Sequence, residues 1–286
     1  MTKILLSGCC GKMGRTVTNI VNTRDDCVIV AGVDIVEDST LGYPVFQTFS
    51  EVQVKADVIV DFSNPALLLS MLDYAKSTNT AVVISTTGLS DEQIKTVEEF
   101  SQEIPVFFSY NMSMGVSLLC ELCKTAAKVL GNDFDIEIVE AHHNQKLDAP
   151  SGTAIMLADA IKEEIPDVYY EYDRHSKRQK RNEKEIGIHS IRGGNIVGEH
   201  EVIFAGNDEI VKLSHSARSK AIFAQGAVNA AIFLNGKTPR IYNMKEIFRI
   251  FLVVFLEVFF LSFPFWAKFI TDNPLIFPPE DEPLDW

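Results

Sequence analysis

Two adjacent histidines and a nearby lysine, at His142, His143 and Lys146, could bind and protonate a small carboxylate. The segment before them, DFDIEIV, alternates polar and apolar residues and predicts a strand, whereas AIMLADAIKEE after them has helical spacing. Because consecutive strand residues point to opposite faces, the two histidines should have different roles. The alternative for each residue alone is a polar turn between a strand and a helix.

Ser151, Gly152 and Thr153 stand where this helix should begin. The first N–H groups of a helix have no partner within it, and together with the helix dipole they favour an anion. Lys146 lies in the preceding loop and can reach the same space. A serine cap by itself would be only structural, but the combined groups predict a functional site for a small carboxylate that must be protonated.

A glycine-rich turn near the N-terminus predicts a nucleotide site. The apolar run KILLS is followed by Gly-Cys-Cys-Gly-Lys-Met-Gly at residues 8–14, a helical segment and a second apolar run, CVIVAGVD. Glycines in such a unit let the backbone approach a pyrophosphate, which the helix N-terminus binds. Asp34 ends the second run, where an acid either binds a ribose 2′-hydroxyl or is a solvated strand end. The predicted cofactor-binding residues here are Gly8, Cys9, Cys10, Gly11, Lys12, Met13 and Asp34.

The remainder of the first half alternates strands with helices. ADVIVDFS, AVVIST and IPVFFSY predict strands, and PALLLSMLDYAKSTN and SDEQIKTVEEFSQE predict the helices between them. This order indicates an α/β fold with a mostly parallel, doubly wound sheet, whose ligand lies outside the carboxyl ends of the strands. The polar turns at those ends contain Ser85, Thr86, Thr87, Ser109, Tyr110, Asn111 and Met112.

The second half has a different pattern. Residues 164–185 are charged and irregular, and the basic run at 177–181 predicts a solvated loop. EIGIHSIRGG, NIVGEHEVIFAG and NDEIVKLSHSA are period-two runs separated by glycine-bearing turns, which predict antiparallel strands of a second domain. Their histidines, His189, His200 and His215, are interpreted as sheet residues rather than ligands.

The segment KAIFAQGAVNAAIFLNG predicts an amphipathic helix that packs back onto the first domain. Lys220 stands at its start and could face the cleft between the domains. The alternative for a lysine in a first helical turn is full solvation.

Composition bounds the class of protein. With 286 residues, 47% hydrophobic and 23% charged, the chain can form two domains or one large domain with an extension. The formal net charge of −13 argues against a nucleic-acid partner, because phosphate binding needs a basic face. Five cysteines, an odd number, indicate a reducing compartment rather than a disulfide framework. Cys120 and Cys123 lie in a helical pattern and are interpreted as buried packing, not as a metal site.

These motifs resemble those of the 4-hydroxy-tetrahydrodipicolinate (dihydrodipicolinate) reductase family, over about residues 1–246. The shared motifs are the glycine turn, Ser-Thr-Thr-Gly at 85–88, Asn-Met-Ser-Met-Gly-Val at 111–116, His-His-x-x-Lys at 142–146, Ala-Pro-Ser-Gly-Thr-Ala at 149–154, Arg-Gly-Gly at 192–194, Gly-Glu-His-Glu-Val at 198–202 and Tyr-Asn-Met at 242–244. The resemblance implies a Rossmann-like domain and a second α+β domain with a mixed or antiparallel sheet, assembled as a homotetramer through that sheet. It also implies reduction of a cyclic dicarboxylate, 4-hydroxy-tetrahydrodipicolinate, to tetrahydrodipicolinate in lysine and diaminopimelate biosynthesis.

The resemblance also assigns roles to single residues. His142 would be the acid–base residue and Lys146 a proton donor. The residues at 85–87 and 109–112 would line the nicotinamide side. The predicted substrate-binding residues are His143, Ser151, Gly152, Thr153 and Lys220.

Four residues depart from the family's pattern. Ser85 replaces a common glycine and Lys12 a frequent arginine. Tyr110 and Met112 occupy a loop that often carries smaller residues and a phenylalanine. These departures bear on cofactor preference and loop shape, not on the chemistry.

The predicted domains are a dinucleotide-binding domain over residues 1–110 and 217–246, a substrate-binding and oligomerisation domain over 111–216, and a hydrophobic then acidic extension over 247–286. NADH is the predicted cofactor, because Asp34 accepts from a ribose hydroxyl but repels a 2′-phosphate. Lys12 is the one nearby cation and leaves NADPH as a second option. We expect a cytoplasmic enzyme without a metal.

Two alternative functions remain open at this point. One is another NAD(P)-dependent reductase of a small amino dicarboxylate. The other is a nucleotide-sensing protein anchored by its tail, which would have no need of His142 and Lys146.

The two ends of the chain carry separate expectations. MTKILLSG predicts a strand rather than a signal peptide. Residues 250–266, IFLVVFLEVFFLSFPFW, are apolar apart from Glu257 and Ser262. A spanning helix needs about 20 apolar residues, and an internal acid is costly, so membrane contact is not favoured. A membrane anchor, a helix at an oligomer interface and a segment without a selected role are the three interpretations.

Overall fold

The computed structural model describes residues 1–247. The chain divides into two compact units, Met1–Met244 and Lys245–Trp286, and all the elements below belong to the first. The apolar segment at 250–266 lies outside the described residues, so its three interpretations stay predictions.

The first sheet contains seven strands: β1 (Thr2–Ser7), β2 (Cys27–Val33), β3 (Val45–Phe46), β4 (Val58–Asp61), β5 (Ala81–Ile84), β6 (Pro105–Phe108) and β12 (Arg240–Tyr242). They lie in the order β12-β6-β5-β4-β1-β2-β3, and every neighbouring pair is parallel, which confirms the predicted parallel sheet. β4 and β5 are buried at every residue, as expected for strands covered on both faces. The pattern does not predict β3 and β12, because such short edge strands carry too little periodicity.

Four helices cover this sheet: α1 (Lys12–Val21), α2 (Leu68–Thr78), α3 (Asp91–Phe100) and α6 (Ala221–Leu234). α1 packs against α6, and α2 packs against α3. α3 begins at a capping box formed by Ser90 and Gln93, which satisfies two backbone donors. α6 also contacts β4, β5 and β6, which confirms that this helix returns to the first sheet.

The second sheet contains five strands: β7 (Asp135–His142), β8 (Tyr169–Glu171), β9 (Glu185–Arg192), β10 (Gly198–Ala205) and β11 (Ile210–Ala217). Their order is β11-β10-β7-β9-β8. β10 is antiparallel to β11 and β7, whereas β9 is parallel to β7 and β8. The sheet is therefore mixed, as the resemblance implies.

The prediction of antiparallel pairing is wrong for β9. After β7, the helix α5 (Gly152–Glu164) carries the chain back, so β9 runs parallel to β7. The connection from β9 to β10 then crosses the end of β7, where Gly193 N donates to the His142 carbonyl at 2.9 Å. Periodicity determines which face a residue occupies but not which strand lies beside it.

α4 (Met114–Leu130) and α5 pack against each other and against the second sheet. Cys120 and Cys123 are buried in the apolar core that they form, which confirms the packing interpretation. Within residues 1–247, no helix has the length and apolar character that a membrane span requires.

The prediction of a solvated loop for the basic run at 177–181 is confirmed for residues 177–180, which are exposed, whereas Arg181 is half-buried. Arg181 bonds Asp135 at 2.7 Å and Glu137 at 3.0 Å, and Lys177 pairs with Glu171. These acids lie on β7 and on β8, a short strand in the segment predicted to be irregular. Opposite charges placed along neighbouring strands therefore hold this segment against the second sheet.

Candidate active site

The glycine-rich turn between β1 and α1 is tightly packed. Gly8 has a φ of +75°, and a Cβ on it would lie 2.7 Å from the carbonyl oxygen of Phe62. A Cβ on Gly14 would lie 2.2 Å from the carbonyl oxygen of Gly8. Gly11 is the N-cap of α1, and no side chain of the described residues caps this helix, whereas serines cap α3, α4 and α5. The first N–H groups of α1 are therefore left for an anion.

Asp34 follows β2 and faces this turn. Its carboxylate accepts from the backbone N–H of Cys10 at 2.9 Å and from that of Val36 at 3.2 Å. Each carboxylate oxygen can accept a further bond, so the half-buried Asp34 can still bind a ribose hydroxyl. An open cleft of about 520 Å³ is lined by residues 37–39 and 42–45, which follow Asp34 in the chain.

A second cation lies beside the turn, so the interpretation of Lys12 as the one nearby positive charge is wrong. Arg15 donates to the carbonyl of Cys10 at 3.1 Å and to Asp38 at 2.5 Å. Because α1 begins at Lys12, Arg15 lies in its first turn, and its side chain reaches back to the glycine turn. Hydrogen bonds from Thr40 and, to a smaller extent, from Arg15 lower the pKa of Asp38 to about 2. Asp38 is therefore ionised and offsets the charge of Arg15.

A buried carboxylate at the end of β4 positions the polar turn after β5. Asp61 accepts from the hydroxyl of Ser63 at 2.6 Å and from the hydroxyl of Thr86 at 2.6 Å. Of the predicted residues here, Thr86 is buried, Ser85 is half-buried with a buried hydroxyl oxygen, and Thr87 is exposed. In the sequence, Asp61 is an acidic residue at the end of an apolar run, and this pattern indicates such a position. The polar residues predicted at the carboxyl edge of the sheet therefore do share that edge.

The loop after β6 connects the nucleotide edge to the second sheet. Asn111 donates from Nδ2 to the hydroxyl of Thr153 at 2.9 Å, and Ser109 donates to the carbonyl of Asn111 at 3.0 Å. Met112 is buried, and its carbonyl oxygen would lie 1.7 Å from a Cβ on Gly226, so α6 needs glycine there. Tyr110 is exposed. Asn111 thus joins a predicted cofactor loop to a predicted substrate residue.

Glu140, a fully buried residue of β7, lies at the centre of the predicted catalytic segment. Arg192 bonds both of its oxygens, at 2.8 and 2.7 Å, and His142 Nδ1 lies 2.6 Å from Oε2. The N–H of Ser151 donates to Oε1 at 3.1 Å. Burial by itself would raise the pKa of Glu140, but bonds from Arg192, Ser190 and His142 hold it at about 2. Glu140 is therefore ionised at neutral pH.

The Glu140 contact sets the orientation and the tautomer of His142. An ionised carboxylate only accepts, so Nδ1 carries a hydrogen and Nε2 is the nitrogen that can exchange a proton. A Cβ on Gly198 would lie 3.1 Å from Nε2, so glycine keeps this nitrogen uncrowded. Burial lowers the pKa of His142, and the contact with Glu140 opposes the effect.

His200, interpreted from the sequence as a sheet residue only, belongs to this cluster. It is 5% exposed, its Nε2 lies 2.9 Å from the Ser151 hydroxyl, and its ring lies 5.2 Å from that of His142. Burial, with a smaller effect of His142, lowers its pKa to about 4. Its partner across the strands is Glu140, a register that the sequence does not reveal. The one indication in the sequence that His200 belongs to the site is its place in the family motif Gly198-Glu199-His200.

Lys146 lies in the loop after β7, where its Nζ contacts Asp148 at 2.8 Å. This contact lowers the pKa of Asp148. His143 follows immediately after the last residue of β7, and its carbonyl accepts from Lys146 N at 3.1 Å. Lys220 is exposed at the start of α6.

At the start of α5, the serine is buried, whereas the two residues after it are more accessible. Ser151 is 1% exposed, and its hydroxyl accepts from Ala154 N at 3.1 Å. Both its N–H and its hydroxyl are thus engaged inside the protein, by Glu140 and His200. Gly152 is exposed and Thr153 half-buried, so their groups remain accessible to a ligand. The structure brings together a fixed histidine, a lysine and a helix N-terminus, a set suited to protonating a bound anion.

Known proteins share both the sequence and the fold. The family model described as "Dihydrodipicolinate reductase, N-terminus" matches residues 2–112, and "Dihydrodipicolinate reductase, C-terminus" matches residues 115–248. The 4-hydroxy-tetrahydrodipicolinate reductase of Clostridium novyi is 48% identical over 87% of this chain and 99% of its own. That of Caldanaerobacter subterraneus is 49% identical over 86% of this chain and 98% of its own.

A solved structure agrees with these matches. Dipicolinate-bound dihydrodipicolinate reductase from Paenisporosarcina sp. TG-14 superposes with a TM-score of 0.69 at 27% identity, over 85% of this chain and 97% of that one. Matches of this extent cover the glycine turn and the His142 segment alike. The chain therefore belongs to the dihydrodipicolinate reductase family.

Proposed function

We propose that this chain catalyses the NAD(P)H-dependent reduction of 4-hydroxy-tetrahydrodipicolinate to tetrahydrodipicolinate, in lysine and diaminopimelate biosynthesis. The observation that carries the proposal is the Glu140–His142 pair beside the open start of α5. Relatives that share 48% and 49% of its residues bear the name of this reaction, and the chain spans nearly their whole length. An intact acid–base cluster also favours an enzyme over a nucleotide sensor.

The overall reaction consumes the substrate, NAD(P)H and a proton, and yields the product, NAD(P)⁺ and water. When bound, the nicotinamide supplies a hydride to a ring carbon of the conjugated imine that forms as the substrate loses water. The added electron density must then be neutralised by a proton. A group that exchanges protons near neutral pH is therefore required beside the ring.

In this proposal His142 delivers the proton from Nε2, which is supported by the contact of Nδ1 with Glu140. Burial keeps the ring neutral in the free protein, since it lowers the histidine pKa. A dianionic substrate counteracts that shift by favouring the imidazolium. Lys146, on the following loop, adds positive charge and can supply or replace the proton.

The dicarboxylate is bound, in this proposal, at the start of α5. The N–H groups of Gly152 and Thr153 belong to the first helical turn, where a negative charge is favoured. His143 and Lys220 contribute further positive or hydrogen-bonding groups. Ser151 acts indirectly, because its hydroxyl and N–H already hold His200 and Glu140.

The cofactor site fits a dinucleotide. The uncapped start of α1 accepts the pyrophosphate, and Asp34 accepts from the ribose. Ser85 to Thr87 and Ser109 to Met112 line the nicotinamide side. We propose NADH as the preferred cofactor, because Asp34 and Asp38 both oppose a 2′-phosphate and Asp38 already engages Arg15.

The proposed assembly is a cytoplasmic homotetramer. Residues 1–110 and 217–246 bind the dinucleotide in this proposal, and residues 111–216 bind the substrate and form the subunit contacts. One observation supports contact through the second sheet: Ile191 of β9 is 51% exposed, on the face opposite the core residues Ile186 and Ile188. Analytical ultracentrifugation tests the oligomeric state.

The direct test is the oxidation of NADH or NADPH, followed by absorbance, with freshly generated 4-hydroxy-tetrahydrodipicolinate. The proposal expects turnover that depends on this substrate and stops when it is omitted. Binding of the nucleotide without any turnover would favour the sensor instead. Turnover only with a different amino dicarboxylate would favour another reductase of the same fold.

A further inference from the structure

The glycine turn carries two thiol side chains, whereas the proposed nucleotide binding uses the backbone of the turn. Cys9 and Cys10 are adjacent in sequence, are not joined by a disulfide, and have their sulfur atoms 3.8 Å apart. A carboxylate oxygen of Asp34 lies close by, and the three ligand atoms are all within 4.8 Å of one another. Cys9 is buried against β2, whereas Cys10 is partly exposed.

We propose that Cys9, Cys10 and Asp34 form a binding site for a thiophilic divalent cation of the Zn²⁺ or Cd²⁺ type, and that its occupancy excludes the nucleotide.

The separation of the two sulfur atoms supports coordination of a single ion. Zn²⁺ binds thiolates at about 2.3 Å in a tetrahedral arrangement. Two thiolates on one such ion are therefore about 3.8 Å apart, by the geometry of those bonds. The observed distance of 3.8 Å meets this requirement without a backbone change.

The donor set also fits such an ion. Two sulfurs and one carboxylate oxygen are ligands that zinc commonly takes, and three protein ligands leave a fourth position for water. Partial exposure of Cys10 gives the ion access. The thiol of Cys10 donates to the carbonyl of Val36 at 3.1 Å, a bond that metal binding would replace.

The protonation of the thiols makes the site dependent on pH. A bound ion would displace one proton from each thiol. At pH values below the thiol pKa, its affinity should therefore increase by roughly 100-fold for each unit by which the pH is raised.

Exclusion of the nucleotide follows from the shared carboxylate, and this part rests on the proposed function. Asp34 would bind the ribose in the nucleotide complex and the cation in the metal complex. A hydrated cation held by both sulfurs would also occupy the turn that the pyrophosphate approaches. The two ligands should therefore compete.

The experiment is a titration of the reduced full-length protein with Cd²⁺, followed by the ultraviolet charge-transfer absorbance of cadmium–thiolate bonds. We expect one Cd²⁺ ion to bind per chain, with a charge-transfer absorbance that corresponds to two cadmium–thiolate bonds. Cys9→Ala and Cys10→Ala should each weaken binding by more than about 100-fold, beyond the usual cost of an outer-shell contact. Cys27→Ala is the matched control, because Cys27 is buried at the opposite end of β2, and it should bind Cd²⁺ like the wild type. Unchanged binding in both Cys9→Ala and Cys10→Ala would overturn the proposal.

Competition is measured separately, by NADH fluorescence at increasing Cd²⁺. The apparent Kd for NADH should rise in proportion to the Cd²⁺ concentration in the wild type and in Cys27→Ala. An NADH Kd that stays constant while Cd²⁺ saturates the thiols would overturn the exclusion. The absorbance titration needs neither substrate nor turnover. A protein that binds Cd²⁺ through both thiols but reduces no substrate would therefore contradict the proposed function and leave the metal site standing.

Discussion

At the scale of single residues, the buried carboxylate of Glu140 controls its neighbours. Arg192 bonds both of its oxygens, so a charge that would be costly alone is compensated. The same carboxylate fixes His142 Nδ1–H and accepts from Ser151 N. One residue on β7 thereby contacts both the proposed acid–base residue and the start of the helix proposed to bind the anion.

Cofactor preference also belongs to this scale. NADH should give a kcat/KM at least equal to that of NADPH, because Asp34 and Asp38 repel a 2′-phosphate. Asp34→Asn removes one charge and should raise the relative use of NADPH. Asp25→Asn, at an exposed position before β2, is the control and should leave the ratio unchanged. A tenfold or greater preference of the wild type for NADPH would contradict the argument.

His200 should make the protein less stable as the pH falls. Burial lowers its pKa from 6.5 to about 4, so the unfolded chain takes up the proton first. Its contribution to stability is complete above pH 6.5 and is lost as the pH falls toward about 4, on the order of 3 kcal/mol in total. Urea unfolding from pH 7 to 5 should show a smaller loss for His200→Gln than for the wild type.

The control for this prediction is His175→Gln, in an exposed loop. It should follow the wild-type curve throughout. If His200→Gln loses the same free energy of unfolding as the wild type between pH 7 and 5, then His200 is not the group that titrates.

At this scale the sequence predicts roles for His142 and Lys146, but it does not reveal the groups that contact them in the structure. Glu140 and His200 face each other only because β7 and β10 pair in one register. Arg192 reaches Glu140 because β9 lies on the other side of β7. Such contacts depend on strand order, which the alternation of polar and apolar residues does not contain.

At the scale of elements, the start of α5 is the proposed binding site for the substrate's charge. In this proposal backbone N–H groups supply the binding, so no side-chain substitution should remove it entirely. The hydroxyl of Thr153 adds a group that Asn111 holds at 2.9 Å. The helix therefore connects the substrate to the loop after β6, at the edge of the nucleotide sheet.

Thr153→Ala should raise KM by roughly tenfold, the effect of losing one hydrogen bond to a charged group, with kcat nearly unchanged. Its NADH affinity should equal that of the wild type. Thr96→Ala, at a half-buried threonine of α3 outside the proposed site, is the control and should leave KM, kcat and the Kd for NADH unchanged. A fall in kcat at constant KM would show that Thr153 acts in the chemical step instead.

The elements themselves are predicted more fully than their pairing. The strands of the first sheet follow from apolar runs between glycine and serine turns, and parallel order follows from the intervening helices. β9 is different, because a return through α5 reverses the direction expected from simple hairpins. The sequence does not predict the ion pairs of Arg181, because its acidic partners on β7, Glu137 and Asp135, lie 44 and 46 residues away in sequence.

At the scale of the whole molecule, two sheets supply two kinds of chemistry. The first sheet gathers the proposed nucleotide residues at one edge, and the second carries Glu140 and His142. The Asn111–Thr153 bond joins the loop after β6 to the start of α5. In the proposed reaction, hydride and proton therefore come from different parts of the fold and meet at the substrate.

The region after residue 248 should be dispensable for catalysis. The family match ends at residue 248, and every residue of the site lies before it. A chain ending there should remain folded, by circular dichroism, with KM values equal to those of the full-length protein. It should also aggregate less, because the apolar run at 250–266 is removed. A folded but inactive truncated protein would show that the extension takes part in function.

Proton delivery by His142 is the central claim, and one comparison tests it most directly. The measurement is kcat for NADH oxidation with 4-hydroxy-tetrahydrodipicolinate, together with the Kd for NADH, in the wild type and in His142→Ala. We expect kcat to fall by about 100-fold or more, the usual cost of a lost acid–base group, while NADH binds as in the wild type. Lys146→Ala should behave similarly. A His142→Ala protein that binds NADH normally and retains the wild-type kcat would contradict the account, because the proton would then come from another group.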